Sequence, residues 1–245
     1  SMPRFTPERA IDIQHNIGAD IIIAFDECTS PTAEKEYQIK AMDRTHRWAK
    51  RSILAHKQNY EALKKQGIYG VVQGGRHLDL RQESARILAA MDFDGFGIGG
   101  SFSKEDLGEA LTVVNKILPE DKPRHLLGIG EPGDILQGVM NGCDTFDCVA
   151  PTRIARTGTI YHHTGEYDEL GLPVISKCNL INTKYQRDFS VLDHSESPIG
   201  SVYTKAYLAH LFKAKEMLGP HLASLHNLWT IVDFTKRVRE LVLNS

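Results

Sequence analysis

Three observations predict an α/β fold built on a parallel sheet for this 245-residue sequence. Short apolar runs recur along it: ADIIIAF (19–25), GIYGVVQ (67–73), GFGIGG (95–100), HLLGIG (125–130) and DTFDCV (144–149). The runs are apolar on both faces, the pattern of strands covered on both sides. Amphipathic stretches separate them, and parallel neighbours need helical crossovers of that kind.

The elements follow in order. TPERAIDIQHNIG, from Thr6, carries a Thr cap, Pro7 at the first helical position and Gly18 as a stop, so a helix is expected before the first strand. The stretch from about Ala33 to Lys65 is amphipathic and leads to the second strand; helices are expected over 79–90, 103–117 and 132–141 before the next three. After Arg156, TGTIYHHTGEYDELGLPVISK alternates polar and β-forming residues around glycine turns and predicts a small antiparallel insertion. YTKAYLAHLFKAKEML is expected to be a helix stopped by Gly219-Pro220, with HLASLHNLWTIVDFTKRVRELVL as a second. Right-handed crossovers suit either an open doubly wound sheet or part of a (β/α)₈ barrel, and no glycine signature decides between them. Opening on a helix suggests a strand upstream. The expected division is 3–156, carrying the strand-end rim, and 157–245, carrying the insertion and the closing helices.

A formal net charge of −2 gives no global electrostatic reason for a nucleic-acid partner, although a local basic patch remains compatible with it. Cys28, Cys143, Cys148 and Cys178 show no CxxC pair or metal-type spacing, which favours a reducing, cytoplasmic setting. No run of 18 apolar residues occurs, so no membrane span is expected. Ser1 before Met2 reads as a tag scar.

Chemistry in parallel α/β folds sits at the carboxyl ends of the strands. Those ends carry Asp26-Glu27-Cys28, Gln73-Gly74-Gly75, Gly99-Gly100-Ser101, Gly128-Ile129-Gly130 and Asp147-Cys148. The set suits a flat, polar heterocycle. A carboxylate accepts two N–H groups of a purine-like edge, a Gln amide offers one donor and one acceptor, and glycines leave backbone N–H groups open. A second carboxylate, Asp147, then serves as nucleophile at an anomeric carbon. The plainer alternatives are loop aspartates, turn glycines, and Cys28 and Cys148 as small core fillers. GFGIGG and GIGEPG also match G-x-G-x-x-G, with Asp147 nineteen residues beyond Gly128, which is dinucleotide-binding spacing.

FDECTSP, VVQGG, GIGG, LLGIGEP and FDCVAPTRIARTG, in this order, resemble the tRNA-guanine transglycosylase (queuine tRNA-ribosyltransferase) family from Thr6 to the C-terminal helices. The resemblance implies a (β/α)₈ TIM-type barrel, incomplete here at its N-terminus, with the small β insertion and C-terminal helices. It implies exchange of guanine at the tRNA wobble position for a 7-deazaguanine, preQ1 or queuine, without ATP or a redox cofactor. Asp147 falls on the family's nucleophile, and Asp26, Cys28, Gln73, Gly100 and Gly128 on base-binding positions. Arg153 and Arg156 fall in the segment that meets the tRNA anticodon loop. A second aspartate used for acid–base work has no counterpart, and Glu27 is the nearest candidate by sequence. Ser195, Ser197 and Gly200 stand where the family has zinc-ligand cysteines and only His226 remains, so no zinc is expected and His226 becomes a capping or core histidine. Ser101 replaces a usual apolar residue. Implied partners are tRNA, the free base, and either a homodimer mate or a chain supplying further barrel strands. The competing readings are a non-catalytic RNA-binding or partner subunit of the same fold, a related nucleoside or nucleic-acid base-exchange enzyme and, last, a nicotinamide dehydrogenase.

Overall fold

The computed structural model describes residues 5–100 and 106–244, so Ser101 and the first residues of the helix expected at 103–117 lie outside the described residues. The chain forms two compact units, one of Ser1–Ile129 with Gln137–Asp147 and one of Gly130–Leu136 with Cys148–Ser245.

The first unit opens with α1 (Pro7–Ile17). Its N-cap Thr6 accepts a hydrogen bond from the Arg9 N–H, and it ends at Gly18 with φ 76°, as its sequence signals predict. Then follow β1 (Ile21–Ile23), α2 (Lys35–Lys57), α3 (Tyr60–Leu63), β2 (Gly67–Val72), α4 (Leu78–Ala89), β3 (Gly95–Ile98), α5 (Leu107–Asn115), β4 (Arg124–Leu126), α6 (Pro132–Met140), whose residues up to Leu136 belong to the second unit, and β5 (Thr145–Phe146). The strands form one parallel sheet in the order β1-β2-β3-β4-β5.

That order separates the two topologies left open by the sequence. Right-handed crossovers between sequential neighbours place α2, α4 and α5 on the same face, and α1 packs on α2, α2 on α4 and α4 on α5. This is the progression of a (β/α) barrel. A doubly wound sheet reverses its strand order, and the crevice for a dinucleotide forms at that reversal. The described strands never reverse, so the dinucleotide reading of the glycine motifs loses its structural context.

Alternation along each strand divides two jobs between the faces of the sheet. Ile22, Ile68, Val72, Phe96, Ile98 and Leu126 pack with Ile11, Ile53, Leu88, Leu107, Leu111 and Val114 of the helices. Each such side chain, fully buried, contributes about 1.5–3 kcal/mol. The other face carries Tyr69, Val71, Gln73, Gly97, Gly99 and Leu127: a Cβ built on Gly99 would lie 2.8 Å from Val71, 2.9 Å from Gln73 and 3.5 Å from Leu127. One expectation is corrected at the margin. β2 and β3 are buried almost throughout, but in β5 Thr145 is exposed and Phe146 only partly covered. β5 has two residues and a neighbour on one side only, so it is an edge strand and not a buried one.

The second unit contains α7 (Ala150–Ala155), a short helix the sequence did not signal, then the antiparallel pair β6 (Thr159–Tyr167) and β7 (Pro173–Asn179), as expected. Its core joins Ala155, Ile160, Leu180 and Leu192 to Leu208, Leu211, Leu222 and Ala223 of α8 (Lys205–Ala214) and α9 (Leu218–Leu243). The break between these helices is not at Gly219-Pro220. It falls at Lys215, in the left-handed region at φ 58°, and Gly219 and Pro220 belong to the first turn of α9. Proline is tolerated there because first-turn N–H groups have no intrahelical partner to lose. Among the described residues no helix is long and apolar enough to cross a membrane.

Candidate active site

The chemistry-bearing strand ends meet in one cavity of the first unit, of about 530 Å³, lined by Asp26, Cys28, Gln73, Gly99, Gly100, Leu127, Gly128, Ile129 and Asp147. All six residues singled out for base binding and nucleophilic attack are among them. Cys28 is exposed on this wall, which corrects the core-filler alternative.

Each side chain is held by the element behind it. Just past β1, Ala24 N–H still donates to the Tyr69 carbonyl of β2, and beyond it hydroxyls of α2 satisfy the backbone: Phe25 N–H donates to Ser52 Oγ and Glu27 N–H to Thr45 Oγ1. Asp26 is thereby fixed in the cavity wall. Its Oδ2 accepts from Gln73 Nε2 at 2.6 Å, and burial pushes its carboxyl above the ordinary aspartate value against the opposing pull of that bond. Gln73 is 3% exposed; its backbone N–H donates to Ser84 Oγ on α4, while its Oε1 has no partner. A buried amide with one satisfied end is an unfilled half of a recognition pair.

Arg81, 0% exposed on α4, donates from Nε to the Gly75 carbonyl at 2.7 Å and from Nη1 to the Gly99 carbonyl at 3.0 Å, bracing the two glycine turns against each other. Burial lowers its pKa to about 10, so it stays charged at neutral pH. Gly100 takes φ 96°, and a Cβ there would stand 2.8 Å from Arg81 Nη2 and 3.0 Å from Gln73 Oε1, so only glycine fits.

Asp147 lies just past β5 with its side chain 56% exposed. Its Oδ1 accepts from the Gly128 N–H at 2.7 Å and lies 3.1 Å from His125 Nε2, while Oδ2 has no hydrogen bond among the described residues. The Gly128 N–H, expected to be open toward a base, is therefore committed to the carboxylate; at φ 72° it is aimed there by a backbone conformation that favours glycine. Glu27 is committed too. It accepts from Tyr37 Oη at 2.6 Å and pairs with Arg44; these contacts, the Tyr37 bond foremost, hold its carboxyl below the ordinary value. A carboxylate so satisfied is a poor proton donor, which argues against Glu27 as the replacement acid. Arg153 in α7 and Arg156 at its C-cap belong to the second unit, are exposed, and form no ion pair among the described residues.

Three participants escaped the sequence reading. Arg81 and Ser84 recur with Ala85 and Leu88 on the buried stripe of α4, so helical periodicity could have flagged both as internal. His125 pairs in register with Thr145, and strand alternation brings Asp147 to the same face.

The positions where the resemblance places zinc ligands converge within the second unit, on different chemistry. Ser197 Oγ lies 3.0 Å from His226 Nδ1; His226 Nε2 lies 2.8 Å from the Tyr161 carbonyl and 3.2 Å from Asp193 Oδ2; Ser195 Oγ donates to Asp193 Oδ1 at 2.7 Å. Both imidazole nitrogens are engaged, no thiolate is present, and a Cβ on Gly200 would run into Asp193. This donor set does not fit a tetrahedral zinc. Among the described residues no group of three or more His, Cys, Asp or Glu is arranged to hold a metal.

The family model described as queuine tRNA-ribosyltransferase matches residues 1–245. Among curated relatives, a queuine tRNA-ribosyltransferase of Desulforamulus reducens is 43% identical over 242 residues, covering 97% of this chain and 61% of its own length. A putative queuine tRNA-ribosyltransferase of Archaeoglobus fulgidus is 43% identical over 245 residues, covering 98% and 58%, and a queuine tRNA-ribosyltransferase of Streptococcus sanguinis is 41% identical over 244 residues, covering 98% and 60%. The chain thus spans about three fifths of the length of the relatives it matches.

Proposed function

The chain belongs to the queuine tRNA-ribosyltransferase family, and on that premise we propose that it carries the base-exchange centre for guanosine at the tRNA wobble position, with Asp147 as nucleophile. The observation that carries this reading is the state of Asp147: Oδ1 is held by the Gly128 N–H while Oδ2 has no hydrogen bond among the described residues, in a cavity also lined by the half-satisfied Asp26–Gln73 pair.

In the proposed reaction the target nucleoside is unstacked into the cavity. Asp147 Oδ2 attacks C1′ from the face opposite the base; the C1′–N9 bond breaks, and its electron pair leaves on guanine N9, which takes up a proton from water in the open cavity. The incoming 7-deazaguanine gives up its N9 proton to water and attacks C1′, displacing the carboxylate. Two inversions return the original configuration. Asp26 accepts from the N–H edge of either base, and Gln73 turns its amide toward the ring carbonyl once the base has replaced it at Asp26. Cys28 and Gly100 shape the wall, and Arg153 and Arg156 hold anticodon-loop phosphates. No metal takes part in these steps, and the setting is the cytoplasm, where tRNA is matured.

The test is incorporation of labelled guanine into tRNA bearing guanosine at the wobble position, by the full chain and by Asp147→Asn at equal concentration. Exchange by the chain that vanishes in the variant is expected. tRNA binding without exchange in either would replace this reading with that of a non-catalytic RNA-binding subunit.

A further inference from the structure

We propose that His125 is the positioning residue of the nucleophile: its imidazole fixes the Asp147 carboxylate by Oδ1 so that Oδ2 is the oxygen presented to the sugar. The inference deepens the function proposed above and rests on it.

The meeting of the two side chains follows from the sheet. His125 lies opposite Thr145 in the parallel β4–β5 register, and Asp147, two residues on, returns to the same face. The ring therefore bridges the two residues, with Nδ1 2.8 Å from Thr145 Oγ1 and Nε2 3.1 Å from Asp147 Oδ1. An ionised carboxylate can only accept, so Nε2 carries the proton and donates; in the neutral ring Nδ1 then accepts from the Thr145 hydroxyl. The accept-only carboxylate thus selects the tautomer, and the Thr145 hydroxyl, able to donate or accept, satisfies the nitrogen left over and holds the ring in place.

With the Gly128 N–H also donating to Oδ1, two donors converge on one oxygen and fix the rotation of the carboxylate. Displacement at C1′ depends on such alignment, since a misplacement of about 1 Å costs on the order of a hundredfold. His125 does not act as the acid for the departing base. In an in-line displacement the base leaves from the side of C1′ opposite Asp147, and the imidazole stands bonded on the Asp147 side.

Two measurements test this. Long-range ¹H–¹⁵N spectra of the His125 ring should show the Nε2–H tautomer in the unmodified chain and in Thr145→Val, and a displaced Nε2 signal in Asp147→Asn. An identical ring spectrum with and without the Asp147 carboxylate overturns the proposal, whether or not the chain turns over. In the exchange assay His125→Ala should lower kcat roughly ten- to a hundredfold, the scale of one charge-assisted hydrogen bond and the alignment it secures, with KM for tRNA unchanged. His125→Gln, which retains an N–H donor of similar reach, should recover most of it. Undiminished kcat in His125→Ala overturns the proposal. Absence of exchange in the unmodified chain would count against the transglycosylase reading alone, since the ring spectra still decide the His125–Asp147 bond.

Discussion

His226 and Asp193 form a fully buried pair, Nε2 to Oδ2 at 3.2 Å, where the family resemblance leads one to look for zinc. Burial alone would raise the Asp193 pKa, but the His226 and Ser195 contacts outweigh it and hold the carboxyl well below the ordinary range. The same imidazole ties α9 to the Tyr161 carbonyl of β6. Removing one partner of such a pair strands the other and costs about 3–5 kcal/mol. His226→Ala should therefore lower Tm by on the order of 10 °C in a chain of this size, while a molar excess of zinc, or a chelator, leaves the Tm of the unmodified chain where it is. Scanning calorimetry decides, and a rise in Tm on adding zinc would refute the substitution.

Arg81 supports the base pocket without facing it. Its fork reaches the carbonyls of Gly75 and Gly99 together, and an ammonium cannot span both. Arg81→Lys should leave one buried carbonyl unpaired, at about 1–3 kcal/mol, and lower Tm by several degrees. It should also raise KM for the free base more than it lowers kcat, because one of the two glycine turns it braces, at Gly99 and Gly100, lines the cavity and the other follows Gln73, which lines it too. Equal KM values in the two proteins would separate Arg81 from the site.

What the sequence made legible was whatever local rules govern. Thr6, Pro7 and Gly18 bounded α1, continuous apolar runs marked the strands, and strand ends marked Asp26, Gln73 and Asp147. Legibility ended where partners come from distant segments. The order of the strands is a tertiary property, so barrel and doubly wound sheet stayed tied until pairing was seen. Lys215 adopts a left-handed conformation with no local signal for it, and the more obvious Gly219-Pro220 drew the helix boundary several residues too late. The engagement of the Gly128 N–H by Asp147, and of Glu27 by Tyr37 and Arg44, could not be read from either partner alone.

Asp26 is held in a state that favours function over stability. Its raised pKa means that the folded chain binds a proton at a pH where the unfolded chain, near the ordinary value of about 3.9, does not. Stability contributed by this group consequently rises as pH falls through the raised value and is lost on the way to neutrality. Asp26→Asn keeps an acceptor for Gln73 Nε2 and removes the penalised charge, so Tm at neutral pH should rise by roughly 2–4 °C, the response to about 1 kcal/mol. Base binding should fail in the same variant. In the unmodified chain KM for the base should climb as the pH is lowered into the range where Asp26 takes up its proton, because the acceptor for the base N–H edge disappears. A Tm that falls in the variant, or a KM flat across acidic pH, would contradict the account.

Arg153 and Arg156 put the RNA part of the proposal at risk most directly. Both are exposed without an acidic partner among the described residues, and they stand three positions apart, close enough on a helical turn to address neighbouring phosphates. Net charge offers no general attraction to RNA, so local cations of this kind must supply it. Phosphate contacts are sequence-independent and release counterions: each one lost from a single-stranded loop should reduce the slope of log affinity against log salt by about 0.7. The double variant Arg153→Ala/Arg156→Ala should bind wobble-guanosine tRNA more weakly, with a slope shallower by about 1.4 if each arginine holds one phosphate. Affinity for the free base should not change, because neither residue lines the cavity. Filter binding across a salt series measures the slope. An unchanged slope would make these two arginines solvated surface charges and move the search for the RNA contact elsewhere on the chain.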